Sequence, residues 1–323
     1  MLFTDIRLQN FRSYKEASFE LDPGVNIVVG PNAAGKTNLL EALMVGAVGK
    51  SYRAKDNLLI AHGESWSRID IHTDRNITRV VKLSSNPTGK VEKQFMFDEK
   101  IYKRMTVDNR LPVVLFEPEN MRLLNADPSE RRCYMDDLLE QTLPTYSKLR
   151  ADFKRVVSQR NALLKAHNPS QSQVFAWNIR FCELATEVVQ ARRVLLDKIT
   201  EQLDDVYSSI ARKKLDLSIT YFSKTPLADY SNQLMKQLTS DYDLDRARGF
   251  TGRGPQRDDM VIYSGQTPLS ETASRGENRS LVLSLKIIEL MVLEEATSKR
   301  PLLLLDDVFS ELDGARRSAL TKL

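Results

Sequence analysis

Apolar and polar residues alternate along the first third of the chain with the period of β-strands. Leu2, Thr4, Ile6 and Leu8 alternate with other residues, and residues 25–29 (VNIVV) form a short β-rich run between two glycines. A period of two predicts strands that place one face against a core. The same reasoning predicts further strands at residues 68–73, 77–83, 94–102 and 113–116. We therefore predict an antiparallel meander near the N-terminus.

The period changes to that of helices in the middle of the chain. From Tyr146 to Leu163, apolar residues recur in steps of three and four, and the pattern resumes over residues 184–210 after a polar break at residues 167–170. We predict two long amphipathic helices that form an antiparallel hairpin. The second helix keeps a heptad-like spacing, so a local coiled coil and an ordinary bundle both remain open.

Strand and helix patterns return beyond this hairpin. Further elements are predicted as helices at residues 37–48 and 279–295 and as strands at residues 215–221 and 301–305. We predict an α/β fold in which residues 1–126 and 215–323 together form one head with a mixed sheet and the antiparallel meander. Residues 127–214 are predicted to be an inserted α-helical arm domain.

The composition is that of a globular protein with many charged helices. Of the 323 residues, 41% are hydrophobic and 28% are charged. No window approaches the roughly 18 uncharged apolar residues of a membrane span. The first residues do not resemble a signal peptide, so we expect a cytoplasmic protein without a membrane partner. The net charge of +4 is compatible with a nucleic-acid partner but is common in proteins without one.

Residues 30–37 carry the first candidate chemistry. Their sequence, GPNAAGKT, matches the pattern G-x-x-x-x-G-K-[ST] between a predicted strand and a predicted helix. Glycine lets successive backbone N–H groups turn toward phosphate oxygens, and the helix start adds the positive end of its dipole. We expect Lys36 to reach the β- and γ-phosphates of ATP and the Thr37 hydroxyl to ligate Mg²⁺. The predicted nucleotide-binding residues here are Gly30, Pro31, Asn32, Ala33, Ala34, Gly35, Lys36 and Thr37.

The apolar strand predicted at residues 301–305 ends in two acids, Asp306 and Asp307. Four consecutive leucines predict a central strand that is buried on both faces. In a parallel sheet, the C-terminal ends of the strands deliver side chains to a bound ligand. We expect Asp306 to hold Mg²⁺ and Asp307 to orient or deprotonate the attacking water, with Lys36 as the second catalytic residue.

A serine-glycine segment precedes the helix predicted at residues 279–295. A hydroxyl group and backbone N–H groups at a helix start form an anion site. The four residues of this segment are Ser274, Arg275, Gly276 and Glu277. In isolation the segment is typical of an ordinary helix cap. Its place upstream of the paired acids, with the segment SELD at residues 310–313 shortly after them, favours a role in nucleotide binding.

The order of these motifs resembles that of the ATP-binding-cassette (ABC) superfamily. In that superfamily, the serine-glycine signature of one subunit contacts the γ-phosphate that another subunit holds. The resemblance therefore implies an ABC-type P-loop ATPase head that binds ATP and Mg²⁺, with two composite sites in a head-to-tail homodimer. Because Asp307 has one methylene fewer than the glutamate of many transporters, we expect a weak, timer-like ATPase that serves as a switch.

Longer segments narrow the resemblance to one branch. Residues 6–14 resemble the opening of the DNA-maintenance ATPases, and residues 50–60, 115–120, 130–136 and 254–259 resemble the RecF family. The resemblance implies an ATPase of DNA replication, recombination and gap repair, linked to the SOS response to DNA damage. It further implies that an ATP-bound homodimer closes on single- or double-stranded DNA with little sequence preference, and that RecR and RecO are partners.

Three features depart from the pattern of that family. Gln256 stands where the family usually has histidine, and Glu277 where glutamine is more usual. We expect Glu277 to weaken an anion contact across the dimer. The chain also stops at Leu323, inside a helix expected after Asp313. We therefore expect the whole protein to continue to a strand that carries a switch residue.

Basic residues supply candidates for a DNA surface, although charge runs on helices are usually solvated faces. The first set of candidates is Lys50, Arg53, Lys55, Arg131, Arg132, Lys154 and Arg155. Further candidates on the arm are Lys148, Arg150, Arg160, Arg192, Arg193, Arg212, Lys213 and Lys214. A basic groove of this kind predicts salt-sensitive, sequence-independent binding.

Two other function classes remain open. A structural clamp of the SMC type predicts long coiled coils, which a chain of this length disfavours. A soluble ABC ATPase that does not act on DNA predicts the signature Leu-Ser-Gly-Gly-Gln, which this chain lacks.

Overall fold

The alternating residues near the N-terminus form a six-stranded antiparallel sheet. The computed structural model describes residues 2–86, 88–166, 171–308, 313–314 and 316–317. The strands of this sheet are β1 Phe3–Phe11, β2 Tyr14–Glu20, β3 Trp66–Thr73, β4 Thr78–Ser85, β5 Val91–Phe97 and β6 Lys100–Tyr102. Their order across the sheet is β2-β1-β3-β4-β5-β6, with every neighbouring pair antiparallel. The predicted meander is confirmed.

Helix α1, Lys36–Val48, packs on the apolar face of this sheet. Leu39 of the helix is buried in the same core as Ile69 and Ile71 of β3. A Cβ atom at Gly46 would lie 2.1 Å from the Cδ1 atom of Ile71. Because any larger residue there must displace the Ile71 side chain, glycine allows the helix to lie close to the sheet.

A two-stranded parallel sheet completes this core. Its strands are β7, Val113–Phe116, and β11, Leu302–Leu305. Leu305 lies opposite Phe116, and the next backbone N–H, that of Asp306, donates to the Phe116 carbonyl oxygen at 3.0 Å. The chain therefore leaves both strands at the same edge, and Asp306 stands at that edge.

The prediction that residues 302–305 form a central strand buried on both faces is wrong for the residues that the structure describes. Within the described residues, β11 pairs with β7 alone, and of its four leucines Leu304 is fully buried while the other three are half-buried. A strand is fully enclosed only where neighbours cover both its edges and its faces, and β11 has one paired edge.

The β-rich run at residues 25–29 does not form a strand, so that prediction is also wrong. Three of its apolar side chains are between 80% and 84% exposed, and no ladder forms there within the described chain. Asp22 and Asn26 bond to each other instead. The Asp22 N–H donates to Asn26 Oδ1, and Asn26 Nδ2 donates to the Asp22 carbonyl oxygen, both at 2.8 Å. Such local side-chain bonds compete with strand pairing.

The strand predicted at residues 94–102 is two strands joined by a tight turn. β5 ends at Phe97, and β6 begins at Lys100. Between them, Asp98 and Glu99 have φ angles of 44° and 67°. Consecutive positive φ angles are typical of the turns that close two-residue hairpins. Aspartate tolerates this conformation better than most residues, but the alternating pattern alone did not reveal the turn.

The chain divides into two compact units, residues 1–117 with 293–308 and residues 118–292 with 309–323. The predicted arm, residues 127–214, lies within the second unit together with strands that the sequence assigned to the head. Its separation as a domain of its own stays a prediction. Within the described ranges, no helix has the length and apolar character that crossing a bilayer requires.

The second unit is mainly helical with a small antiparallel sheet. Its elements are α2 Pro128–Thr142, α3 Tyr146–Lys165, α4 Gln171–Ala211, β8 Leu217–Phe222, α5 Tyr230–Ser240, α6 Tyr242–Arg248, β9 Asp259–Ser264, β10 Thr267–Pro268, α7 Leu269–Thr272 and α8 Arg275–Thr297, of which residues 293–297 belong to the first unit. The strand order is β10-β9-β8. Helices α3 and α4 are the two predicted long helices. The rings of Phe153 on α3 and Phe181 on α4 pack against each other with their centroids 5.3 Å apart. The turn predicted at residues 167–170 lies outside the described residues.

Buried ion pairs connect the helices of the second unit. Arg192 of α4 donates to both carboxylate oxygens of Asp136 of α2, at 2.9 and 3.1 Å, and Tyr146 of α3 donates to the same carboxylate at 2.7 Å. Arg160 of α3 is fully buried and donates to Asp245 of α6 at 2.8 Å. Removing one partner of such a pair leaves a buried charge uncompensated, at a cost of about 3–5 kcal/mol. The hypothesis that Arg160 and Arg192 contact DNA is therefore wrong.

A buried carboxyl group next to β9 predicts a specific pH dependence of stability. Asp258 accepts hydrogen bonds from Tyr221 at 2.9 Å and Ser223 at 3.0 Å, yet burial raises its pKa to about 6. A carboxyl group with a higher pKa in the folded than in the unfolded state binds more protons when folded. Its contribution to stability therefore falls as pH rises from about 4 to about 6. At 1.36 kcal/mol for each pKa unit, the loss is about 3 kcal/mol.

Urea unfolding of wild type and Asp258→Asn across this pH range measures the effect. We expect the unfolding free energy of the wild type to fall by about 3 kcal/mol relative to that of the variant as pH rises from 4 to 7. Asp197→Asn, which removes an exposed carboxylate of α4, is the matched control and should follow the wild type. Parallel pH curves for wild type and Asp258→Asn would contradict the assignment.

Candidate functional site

Residues 30–34 form an exposed loop, and after the buried Gly35 the segment continues into α1 with Lys36 and Thr37. Ala33 and Gly35 have φ angles of 66° and 97°, so both lie in the left-handed region. A Cβ atom at Gly35 would lie 2.8 Å from the hydroxyl oxygen of Tyr14, which itself donates to the Gly35 carbonyl oxygen at 3.1 Å. Glycine is therefore required here both by conformation and by contact with β2. No side chain caps α1 in the described part of the chain, so its first N–H groups can bind an anion.

Lys36, the first residue of α1, reaches back over this loop. Its ammonium group donates to the carbonyl oxygens of Gly30 and Pro31, at 2.8 and 3.0 Å. The cation therefore stands over the loop backbone, where the sequence predicts the phosphates. A phosphate group offers this lysine charge-assisted bonds, which are stronger than bonds to neutral carbonyl oxygens.

Thr37 and Asp306, which lie 269 positions apart in the chain, are joined directly. The Thr37 hydroxyl donates to Asp306 Oδ1 at 3.1 Å. A hydroxyl and a carboxylate oxygen are ligands that Mg²⁺ prefers, so these two residues fit the predicted metal. Asp307 follows with its side chain exposed and a φ angle of 52°. The structure thus brings together the loop and the acids that the sequence singled out, and their individual roles stay predictions.

A buried carboxylate behind the loop was not found by sequence reasoning. Glu41 of α1 is fully buried and accepts two bonds from Arg12, at 2.7 and 2.9 Å, as well as bonds from Ser51 and Arg53. Burial alone would raise the pKa of Glu41, but the hydrogen bonds from Arg12, Ser51 and Arg53 outweigh burial and lower it. Glu41 therefore stays ionised and fixes α1 to the turn between β1 and β2. The one sequence feature that could have identified Glu41 is that it is an acid within an apolar stretch of a predicted helix.

Tyr52 is a second residue that the sequence did not single out. Its hydroxyl is buried and has no hydrogen-bond partner within the described ranges. Burial raises its pKa, and the nearby carboxylates of Asp306, Glu117 and Glu41 raise it further. The hydroxyl therefore stays protonated and supplies a neutral donor near the carboxylate that is predicted to hold Mg²⁺.

A cleft of about 510 Å³ begins beside the first turn of α1. Its walls are the turn between β1 and β2, the start of α1 and residues 57–64. The lining includes Arg12, Ser13, Asn38, Leu58, His62 and Glu64. Asn38 Nδ2 donates to Ser13 Oγ at 2.8 Å, which places the mouth of the cleft next to the loop.

The serine-glycine segment in the second unit forms the start of α8. The Ser274 N–H donates to Glu277 Oε2 at 3.0 Å, and the Glu277 N–H donates to Ser274 Oγ at 3.2 Å. This reciprocal pair is a capping box, and it explains why α8 begins at Arg275 rather than at the predicted residue 279. Arg316 donates to the carbonyl oxygen of Gly276 at 2.7 Å. The predicted contact of this segment with nucleotide stays a prediction, and residues 310–312 lie outside the described residues.

The basic candidates for DNA contact fall into two groups. The side chains of Lys50, Lys55, Lys154 and Arg155 are exposed. Lys148, Arg193, Arg212 and Lys214 are exposed as well. The remaining candidates form hydrogen bonds or ion pairs within the protein. Arg131 donates to both oxygens of Asp259, at 2.8 and 2.6 Å, and Arg132 donates to the Asp258 carbonyl oxygen at 2.8 Å. Arg53 donates to Asn38 Oδ1 at 2.6 Å and to Glu41. The exposed group is thus the better placed for a DNA backbone.

The sequence is similar to known proteins along nearly its whole length. The family described as RecF/RecN/SMC N terminal domain matches residues 2–323. The DNA replication and repair protein RecF of Renibacterium salmoninarum is 32% identical over 100% of this chain and 91% of its own length. The protein of the same name from Acidothermus cellulolyticus is 33% identical over 99% of this chain and 90% of its own length.

The fold is also similar to that of solved RecF structures. A structure of the recombination mediator protein RecF with ATP, from the RecFOR pathway, superposes with a TM-score of 0.88 at 27% identity. The match covers 99% of this chain and 88% of that one. A fold and a sequence that agree over this length leave no large element of the chain without a counterpart.

Proposed function

This chain belongs to the RecF family of DNA replication and repair proteins, and we propose that it acts there as an ATP-driven clamp on DNA. The proposal has three parts: ATP bound on residues 30–37, a second copy of the chain closed over that ATP, and DNA held by the closed pair. Each part is supported by a different set of residues.

The observation that carries the proposal is the bond between Thr37 and Asp306. It joins the hydroxyl of the loop to the carboxylate at the end of β11, and the neighbouring Lys36 holds its cation over the loop backbone. Thr37 and Asp306 would hold Mg²⁺, which neutralises phosphate charge when bound. Asp307, exposed next to Asp306, would hold the attacking water and accept its proton. A short aspartate that reaches the water poorly would give slow hydrolysis.

The proposed closed state uses the start of α8 at Ser274. Ser274 Oγ already accepts the Glu277 N–H, so in the proposed homodimer the Ser274 hydroxyl hydrogen and the N–H groups of Arg275 and Gly276 meet the γ-phosphate held by the other copy. ATP therefore bridges the two copies, and hydrolysis separates them. Because the signature acts only across the interface, one chain alone is an incomplete enzyme.

The proposed DNA contacts are exposed cations in each of the two units. Lys50 and Lys55 lie after α1, and Lys154 and Arg155 lie on α3. None belongs to a base-reading motif, so we expect contact with phosphates of single- or double-stranded DNA. RecR and RecO are the protein partners we expect, since the related structure belongs to the RecFOR pathway.

Fluorescence anisotropy with duplex and gapped DNA tests this function. We expect the protein to bind both DNAs in MgATP and to release them in MgADP, with affinity that falls steeply with salt. In the Lys154→Gln/Arg155→Gln variant, the slope of log affinity against log salt should shrink by about two, because each lost phosphate contact removes about one.

The control removes the same charge elsewhere in the second unit. Lys224→Gln/Lys236→Gln replaces two exposed lysines that were not assigned to DNA, and it should keep the slope of the wild type. DNA binding that is the same with MgATP, with MgADP and without nucleotide would overturn the proposed clamp. Equal slopes for both double variants would overturn the assigned DNA surface alone.

A further inference from the structure

Glu277, the acid of the serine-glycine segment, forms an ion pair with a lysine from another helix end. Lys213, just beyond the end of α4, donates its ammonium group to Glu277 Oε1 at 2.8 Å. The other carboxylate oxygen of Glu277 accepts the Ser274 N–H of the capping box. The bond from Lys213 is the largest of the effects that lower the pKa of Glu277, to about 2. Glu277 is therefore ionised, with its charge balanced by Lys213.

The geometry at the end of α4 directs Lys213 to this place. α4 ends at Ala211, and Arg212 has a φ angle of 53°, a left-handed conformation that stops the helix and turns the chain. The following Lys213 then lies beside the first turn of α8, while its side chain stays 59% exposed. A surface ion pair of this exposure contributes little to stability, so stability alone does not explain the arrangement.

A buried polar group of α4 has no hydrogen-bond partner among the residues that the structure describes. Tyr207 of α4 is fully buried, and its hydroxyl makes no hydrogen bond to any described residue. Burial raises the pKa of this hydroxyl, the charge of Glu277 raises it further, and the charge of Arg316 lowers it. Arg316 itself bonds to the backbone of Gly276 and to Ser280. Arg316 is also paired with the carboxylate of Asp313, so Lys213 is the cation that bonds to Glu277.

We propose that Lys213 is a positioning residue that masks the charge of Glu277, so that the start of α8 can receive the γ-phosphate of ATP held by a second copy of the chain. This inference rests on the proposed function. An unmasked carboxylate at that helix start would repel a triphosphate, whereas the Lys213–Glu277 pair is electrically neutral. The pair therefore permits an acid in the signature at a position where an amide would otherwise serve.

Charge-neutralising variants test the proposal through the ATP-dependent dimer. We expect Lys213→Gln to raise the dissociation constant of the dimer in MgATP about tenfold, because like charges then meet across the interface. Glu277→Gln should dimerise as tightly as the wild type or more tightly. The double variant Lys213→Gln/Glu277→Gln should return to the wild-type value, since it has neither charge. High salt should reduce the difference between Lys213→Gln and wild type.

Two controls separate masking from a structural role. Lys236→Gln removes an exposed lysine of α5 that has no assigned role, and it should leave the dimer unchanged. The free energies of unfolding in urea should agree closely among all variants, because the Lys213–Glu277 pair lies at the surface. Masking is overturned if Lys213→Gln dimerises like the wild type, or if the double variant is as weak as Lys213→Gln. A wild type that stays monomeric in MgATP overturns the proposed dimer, and the masking role with it.

Discussion

Lys36→Met binds MgATP about a hundredfold more weakly than the wild type. The lysine ammonium stands over the loop at 2.8 Å from the Gly30 carbonyl oxygen, and its charge-assisted bonds to phosphate are lost in the variant. Each hydrogen bond to a charged group contributes about 1.5–3 kcal/mol, which corresponds to about a 10- to 150-fold change in affinity. Equilibrium binding of a fluorescent ATP analogue measures the effect.

The control for this variant is Lys15→Met, which removes an exposed lysine of β2 that has no assigned role. It should bind ATP like the wild type. Circular dichroism of Lys36→Met should match the wild type, because Lys36 is at the surface and its two partners are loop carbonyl groups that water can reach. Wild-type affinity in the Lys36→Met protein would show that the phosphates bind elsewhere.

Asp307→Asn keeps the affinity for ATP and loses hydrolysis. Asparagine has the same shape and tolerates the φ angle of 52° at this position, so the end of β11 should not move. It cannot accept the proton of the attacking water. Loss of a general base typically lowers a rate by about 100- to 10,000-fold. Single-turnover hydrolysis with excess protein isolates this step from product release.

Asp306→Asn is the matched comparison, because it changes the neighbouring acid instead. It weakens the bond to Thr37 and the oxygen set proposed for Mg²⁺, so we expect both ATP affinity and hydrolysis to fall. We therefore expect ATP affinity to fall in Asp306→Asn but not in Asp307→Asn, although the two residues are neighbours. Normal single-turnover hydrolysis by Asp307→Asn would rule out Asp307 as the base.

Much of the candidate site could be predicted because its chemistry depends on a few residue types at short, fixed spacing. The loop needs glycine for its turn, lysine for charge and threonine for a metal ligand, and these stand within eight positions. An apolar strand that ends in acids is also a local pattern. That Thr37 and Asp306 meet was expected from the order of the motifs, and their 3.1 Å contact agrees with it.

The residues that sequence reasoning missed depend on contacts between distant segments. Glu41 is one acid in an apolar helix, and nothing local shows that Arg12 and Arg53 converge on it. Tyr52 becomes relevant only because the fold places it near Asp306. Arg160 and Arg192 look like surface charges, yet their partners lie on other helices. Charge alone does not tell a solvated face from a buried pair.

Strand predictions failed where pairing rather than pattern decides. Residues 25–29 have strong strand character, but a strand requires a partner edge, and none pairs with this run in the described structure. β11 is apolar enough to be central but pairs on one edge. The meander succeeded because its strands are sequential neighbours, which pair through short turns.

The most direct test of the clamp is the molar mass of the protein in solution, measured by light scattering without nucleotide, with MgADP and with MgATP, each with and without duplex DNA. We predict a dimer in MgATP alone, retained on DNA, and monomers in the other states. Lys36→Met and Ser274→Arg should stay monomeric, the first because ATP does not bind and the second because the signature is blocked. A wild type that binds ATP tightly and stays monomeric in every state would contradict the composite site and leave a P-loop ATPase that works as a single chain.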